Sequence, residues 1–222
     1  MKTKLFGVTV EKLLQSGGQT LYMVCWALLI GSIIGTVLAL ILVFCRKGAI
    51  AENRILYFII SNAISILRSV PFLILIVTIM PLTRTIVGTT IGSNAAVVPL
   101  VFYIGPYMAR LLENSLLEVS PGIMEAANAM GATKFQVIRY FILPEAMGSI
   151  VLSVTTGAIG LLGASAMAGY VGGGGIGDLA LTYGYQKFNT PLMIFTVVIL
   201  VVVVQVLQAA GNSLSRRLRE HT

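Results

Sequence analysis

The sequence predicts an all-α integral membrane protein with five transmembrane helices, its N-terminus outside and its C-terminus inside. Composition is the first reason: of 222 residues 57% are hydrophobic and 10% charged, and the mean hydropathy of +0.94 lies outside the range of a soluble domain of this length. The second is the set of long intervals without a charged residue, between Lys12 and Arg46, Arg84 and Arg110, Glu145 and Asp178, and Lys187 and Arg216. Each is long enough to cross ~30 Å of hydrocarbon as a helix. The third is the placement of basic residues. With the N-terminus outside, Arg46, Lys47, Arg54, Arg110, Lys134, Arg139, Arg216, Arg217 and Arg219 fall inside, against Lys2, Lys4, Lys12, Arg84 and Lys187 outside. That asymmetry follows the positive-inside rule.

In chain order, "LFGVTV" after Lys4 is too short for a signal-peptide core and is closed by Glu11 and Lys12, so no cleavable leader is expected. The first span carries Gly31 and Gly35, a small-xxx-small step at which helix backbones approach closely. Its cysteines, Cys25 and Cys45, stand about 30 Å apart along a helix and cannot pair with each other. The second candidate span runs from about Ile55 to Pro81, interrupted only by Arg68. Ser61, Asn62, Ser65, Arg68 and Ser69 form one polar stripe on it. An arginine at bilayer depth faces protein or a wet cavity; either a pathway lining or the loose carbonyls near Pro71 would satisfy Arg68. Ser61, Ser65 and Arg68 are therefore pathway candidates.

The fourth span is rich in small residues, with Gly157, Gly160, Gly163, Ala164 and Ala168 leaving one surface nearly bare. A second copy of the chain is the expected neighbour, since five helices are too few to enclose a solute route. Near its outer end, Met167 and Tyr170 are the bulky side chains ahead of the Gly172–Gly175 run. A flexible thioether among small residues can fold into an open gap, which makes these two the gate candidates; core filling is the alternative role for Met167.

Residues 113–144 form a water-facing loop between the third and fourth spans, on the cytoplasmic side in this orientation. Ser120 and Pro121 make a helix entry, Gly131 supplies a left-handed stop, and "TKFQ", Thr133 to Gln136, matches a capping box that starts a second helix running into Leu143 and Pro144. The loop thus reads as a compact helix-turn-helix, with two adjacent alanines offering a shallow face to another protein.

Glu125-Ala126-Ala127, then Gly131, then Phe141, one residue and Leu143-Pro144 resemble the EAA loop of ABC importer permeases, with Phe141 where that pattern often has isoleucine. The shorter pieces "ILRSVPF", "RTIVGTTIG", "ARLLENSLLE", "SAMAG", "GGIGD" and "YGY" extend the resemblance over nearly the whole length, to the methionine importer permeases. The resemblance implies one permease domain over residues 1–222, in the bacterial inner membrane. It implies that the 113–144 loop docks on a cytoplasmic ATPase through Glu125, Ala126, Ala127, Gly131, Phe141, Leu143 and Pro144. The expected complex holds two permease chains, two ATPase subunits and an external methionine-binding protein, with methionine as cargo and both enantiomers left open. ATP and Mg²⁺ would bind the ATPase, and no cofactor this chain. A permease of the same superfamily for another amino acid or small solute is the alternative.

Other classes fit the residues poorly. Secondary transporters place several ionisable residues at midplane, whereas Arg68 stands there without an intramembrane Asp or Glu. The glycine run lacks the lysine and Ser/Thr of a phosphate loop. The one histidine, His221, is in the tail, so neither a metal site nor a catalytic constellation is expected. The net charge of +7 comes from residues flanking apolar runs; the pattern points to lipid headgroups, not nucleic acid.

Overall fold

In a computed structural model, residues 4–48, 52–120, 122–123, 127, 129–133 and 136–220 are described, apart from the side chains of Lys4, Leu5, Tyr170 and Glu220. A two-stranded hairpin, β1 (Lys4–Leu5) and β2 (Val8–Thr9), leads into α1 (Val10–Cys45). The Thr9 hydroxyl caps α1 by accepting from the Lys12 N–H at 3.4 Å. At 36 residues, α1 is about 54 Å long and overreaches the hydrocarbon layer. In the connection to the next helix, Glu52 accepts from the Gly48 N–H at 3.0 Å and pairs with Arg54 at 2.8 Å. The backbone donor first, and then Arg54, hold its carboxyl below the usual carboxylate range.

The expected second span is not one straight helix. It is α2 (Arg54–Ser69) followed by α3 (Phe72–Thr78), bent from it by 102°. Pro71 is the cause: it lacks an N–H and drives Val70 out of the helical region, to φ −78°, ψ 122°. A short α4 (Met80–Val87) follows, ending at Gly88 in the left-handed region. Then come α5 (Ser93–Leu117), α6 (Leu143–Ala168) entered through a π-helical turn at Val137–Ile142, the short α7 (Gly175–Asp178), a π-helical stretch Leu179–Tyr185, and α8 (Thr190–Glu220). Among the described residues four helices are long and apolar enough to cross a membrane, five if α2 and α3 count as one bent span.

α5 is the centre of the bundle. Of its apolar window 61% is buried, against 11% for α8, which lies at the periphery. The predicted close approach at Gly31 and Gly35 is made onto α5: a methyl group added at Gly31 would overlap Ile104, and one at Gly35 would meet Met108 Cβ at 2.6 Å. Met23, Ala27, Leu100, Ile104, Met108 and Leu161 fill the resulting core. Part of the bare surface on α6 is likewise filled from within the chain, since a Cβ at Gly157 would strike Met108 Sδ at 2.6 Å; at Gly163 it would meet open space.

Candidate functional site

The loop between α5 and α6 has a core of its own. Ala127, Val137 and Ile142 are buried together, with Leu116, Val119, Ala132, Ile138 and Phe141 packed around them. Ala127, expected on an exposed face, instead holds the loop together. Its carbonyl accepts from the Ala132 N–H at 3.1 Å, and Gly131 between them has φ +71°. This six-to-one bond across a left-handed residue is a Schellman stop. Among the described residues nothing lies within 4 Å of where a Gly131 Cβ would be; the requirement for glycine that the structure shows is its left-handed φ.

The second half of the loop starts as the spacing predicts. Gln136 Oε1 accepts from the Thr133 N–H at 2.8 Å and from its hydroxyl at 2.9 Å, the reach-back half of a capping box. The helix does not stop at Leu143-Pro144. Pro144 removes the donor that would reach Tyr140 and crowds that carbonyl; the preceding turn widens, so that the Leu143 N–H bonds Ile138 O, five residues back. Helix then continues without a break from Val137 to Ala168. From Val137 on, the distal part of the loop and the fourth span are one helical rod. Phe141 lies against the loop core and Leu143 is exposed on the rod. Glu125 and Ala126 lie outside the described residues.

At the base of the rod, Ser149 donates to Glu118 Oε2 at 2.6 Å and receives from Arg219 Nη2 at 3.1 Å. Ser215 donates to Gly148 O at 2.9 Å. These bonds join the end of α5, the start of α6 and the end of α8 around a polar cavity of about 330 Å³ that Glu145 also lines. Sequence reading passed over this junction, because its partners lie 31 and 70 residues apart. Its one signal was the arginine cluster in the tail.

Part of the polar stripe of α2 meets α5. Arg110 donates to Ser61 O and Ser61 Oγ, and to Ser65 Oγ at 3.4 Å, while its other terminal nitrogen pairs with Glu113 Oε2 at 2.7 Å. Arg68 lies over the Tyr107 ring, 5.5 Å from its centroid. The spacing of Arg110 and Glu113, i and i+3, was the available clue to this clasp.

At the other end of α6, Met167 is half exposed and Ala168 fully buried; the Tyr170 backbone lies in the π-helical turn Gly169–Gly173. The glycine run is held on both sides. The Gly92 N–H donates to Gly172 O at 2.9 Å and Ser93 Oγ to Gly173 O at 3.0 Å. From α1, Gln19 Oε1 and Thr20 Oγ1 each accept at 2.9 Å, from the N–H groups of Gly175 and Ile176. Gly174 and Gly175, at φ +77° and +87°, face those two side chains where a Cβ would collide at 2.7 and 2.6 Å. Gln19 and Thr20 went unremarked in the sequence, although they are adjacent polar residues at the head of the first apolar run.

Residues 31–220 match the family model described as the inner-membrane component of binding-protein-dependent transport systems. The chain belongs to this family. As an inner-membrane transport component it is a multi-pass transporter subunit and not an enzyme. It is 47% identical over 212 residues, 96% of this chain and 94% of the other, to the probable D-methionine transport system permease protein MetI of Vibrio cholerae. To the methionine import system permease protein MetP of Bacillus subtilis it is 38% identical over 172 residues, 78% of each chain. Its fold matches a chain from inward-facing conformations of the MetNI methionine ABC transporter with a TM-score of 0.90 and 41% identity, covering 94% of this chain and 97% of that one.

Proposed function

We propose that this chain is the membrane-spanning permease of an ATP-driven methionine importer, one domain over residues 1–222 that works as a pair. The observation that carries the reading is the near-complete match, at 41% identity, to a chain of the MetNI methionine transporter. In this reading α2 and α3 together make the second of five spans, the N-terminus is outside, and the 113–144 loop faces a cytoplasmic ATPase that binds the ATP and Mg²⁺. An external binding protein delivers methionine.

The mechanism follows from the rod. ATP binding draws two ATPase subunits together, and each carries one docked loop inward. Because Val137–Ala168 is continuous helix, displacement of the loop tilts the fourth span directly and changes access at its far end, where Met167 and Tyr170 are the gate candidates. Glu125, Ala126, Leu143 and Pro144 are the proposed docking and register residues, while Ala127, Gly131 and Phe141 shape the loop they sit on. Ser61, Ser65 and Arg68 remain proposed pathway residues, with Arg110 and Tyr107 as the partners that fix them. Alternation between two global states with different access gives direction.

The test is uptake of labelled amino acids into liposomes holding this chain, its ATPase and its binding protein. Methionine should accumulate only with ATP, survive collapse of ion gradients, and outcompete leucine and glutamine. Equal uptake of all three would remove methionine as the cargo, and uptake driven by an ion gradient would remove the ATPase.

A further inference from the structure

Two lysines converge on one phenol at the junction of α1 and α8. Lys12 Nζ donates to Tyr183 Oη at 2.9 Å and lies 4.4 Å from the ring centroid; Lys187 Nζ lies 4.2 Å from the same centroid. The ring quadrupole attracts each ammonium, but two like charges around one neutral ring leave an excess of positive potential.

Directly alongside is an apolar crevice of about 280 Å³ between α1 and α8, lined by Leu13, Gly17, Gly18, Ile176, Thr196 and Ile199. The two features share a wall: Leu13 and Tyr183 pack on the same small cluster, Val8, Leu179 and Leu192. The crevice has free space at Gly17 and Gly18, where an added Cβ would meet no described residue within 4 Å. Beside Lys187, Phe188 is 91% exposed, and Tyr185 is exposed as well. Exposed aromatic and lysine side chains at the ends of apolar helices mark headgroup depth. The crevice therefore opens just below the headgroup layer, beside the helix with the least enclosed apolar window, α8.

We propose that this crevice and the lysine pair form one site for an anionic glycerophospholipid, its phosphate between the Lys12 and Lys187 ammoniums and one acyl chain in the crevice. Charge complementarity and the polar-above-apolar arrangement select a lipid over a protein segment, whose backbone polar groups would find few partners in an apolar cleft. The site ties the start of α1 to the start of α8, and an occupying lipid braces that junction.

The test is native mass spectrometry of the full-length chain with phosphatidylglycerol, phosphatidylcholine and inorganic phosphate as probes. A lysine near an anionic lipid contributes roughly fivefold, so the pair should favour phosphatidylglycerol over phosphatidylcholine by about twenty-five-fold. Lys12→Gln with Lys187→Gln should erase the preference, and Lys12→Arg with Lys187→Arg should keep it, which separates loss of charge from loss of fold. Gly18→Leu, filling the crevice, should weaken retention of both lipids at least tenfold. Equal retention of the two lipids by the native chain would overturn the proposal, as would a preference that survives the double glutamine variant. Displacement of phosphatidylglycerol by millimolar inorganic phosphate would assign the lysines to free phosphate and likewise overturn it.

Discussion

Arg110 and Glu113 pair at 2.7 Å on one face of α5, and from that pair Arg110 reaches across to the Ser61 carbonyl at 3.0 Å. Glu113 is 3% exposed. A charge so enclosed is stabilised only by its partner, and removing one member of such a pair costs about 3–5 kcal/mol, whereas replacing both with apolar residues is often neutral. Arg110→Met should therefore strongly lower the thermal unfolding midpoint of the purified chain, and Arg110→Met with Glu113→Leu should recover most of the loss. A double variant as unstable as the single one would show that the bond to α2, and not the ion pair, holds the helices together.

Gly131 gives a graded prediction because it sits at φ +71°. Asparagine tolerates the left-handed region, alanine pays about 1–2 kcal/mol there, and β-branched residues fare worse. Coupled uptake should fall in the order Gly, Asn, Ala, Val, with comparable amounts of protein inserted in the membrane. Gly131→Trp should abolish ATP-driven uptake while remaining inserted. Full transport by the valine and tryptophan variants would mean that the angle between the two halves of the loop does not matter.

The long helices, the loop's Schellman stop and the Thr133–Gln136 cap were all legible in the sequence, since each is written in neighbouring residues or in runs of one polarity. What stayed hidden depends on partners far apart in the chain. Gln19 gives no local sign that it will accept a hydrogen bond from Gly175, 156 residues away. Ser149 gives none that it will stand between Glu118 and Arg219. Pro71 was visible in the sequence as a residue that leaves carbonyls without a donor, but the 102° between α2 and α3 was not, since α3 packs on α5 and α6, which lie far along the chain. Ala127 was misplaced for a related reason: exposure of a small residue is decided by which face the loop turns onto itself.

Pro144 sets the register of the rod. Pro144→Ala restores an N–H and removes the crowding of the Tyr140 carbonyl, so the π-helical turn at Val137–Ile142 should relax to α-helix. Losing one residue per widened turn rotates everything upstream by about 100° relative to the span. The chain should keep or gain thermal stability, because a proline in a helix is costly, yet lose stimulation of its ATPase by substrate. Stability and stimulation both unchanged would mean that the wide turn persists without proline.

The docked glycine run should loosen when one acceptor is removed. Thr20→Val has the same shape but leaves the Ile176 N–H, which is buried against α1, without a partner, at a cost of about 1–3 kcal/mol. Amide exchange at Gly175 and Ile176 should accelerate by about tenfold or more, with exchange in the middle of α5 unchanged. Thr20→Ser keeps the hydroxyl and should restore protection. If Thr20→Val exchanges no faster than the native chain, the Thr20 hydroxyl does not share in carrying the turn, which Gln19 of α1 together with Gly92 and Ser93 at the start of α5 then holds.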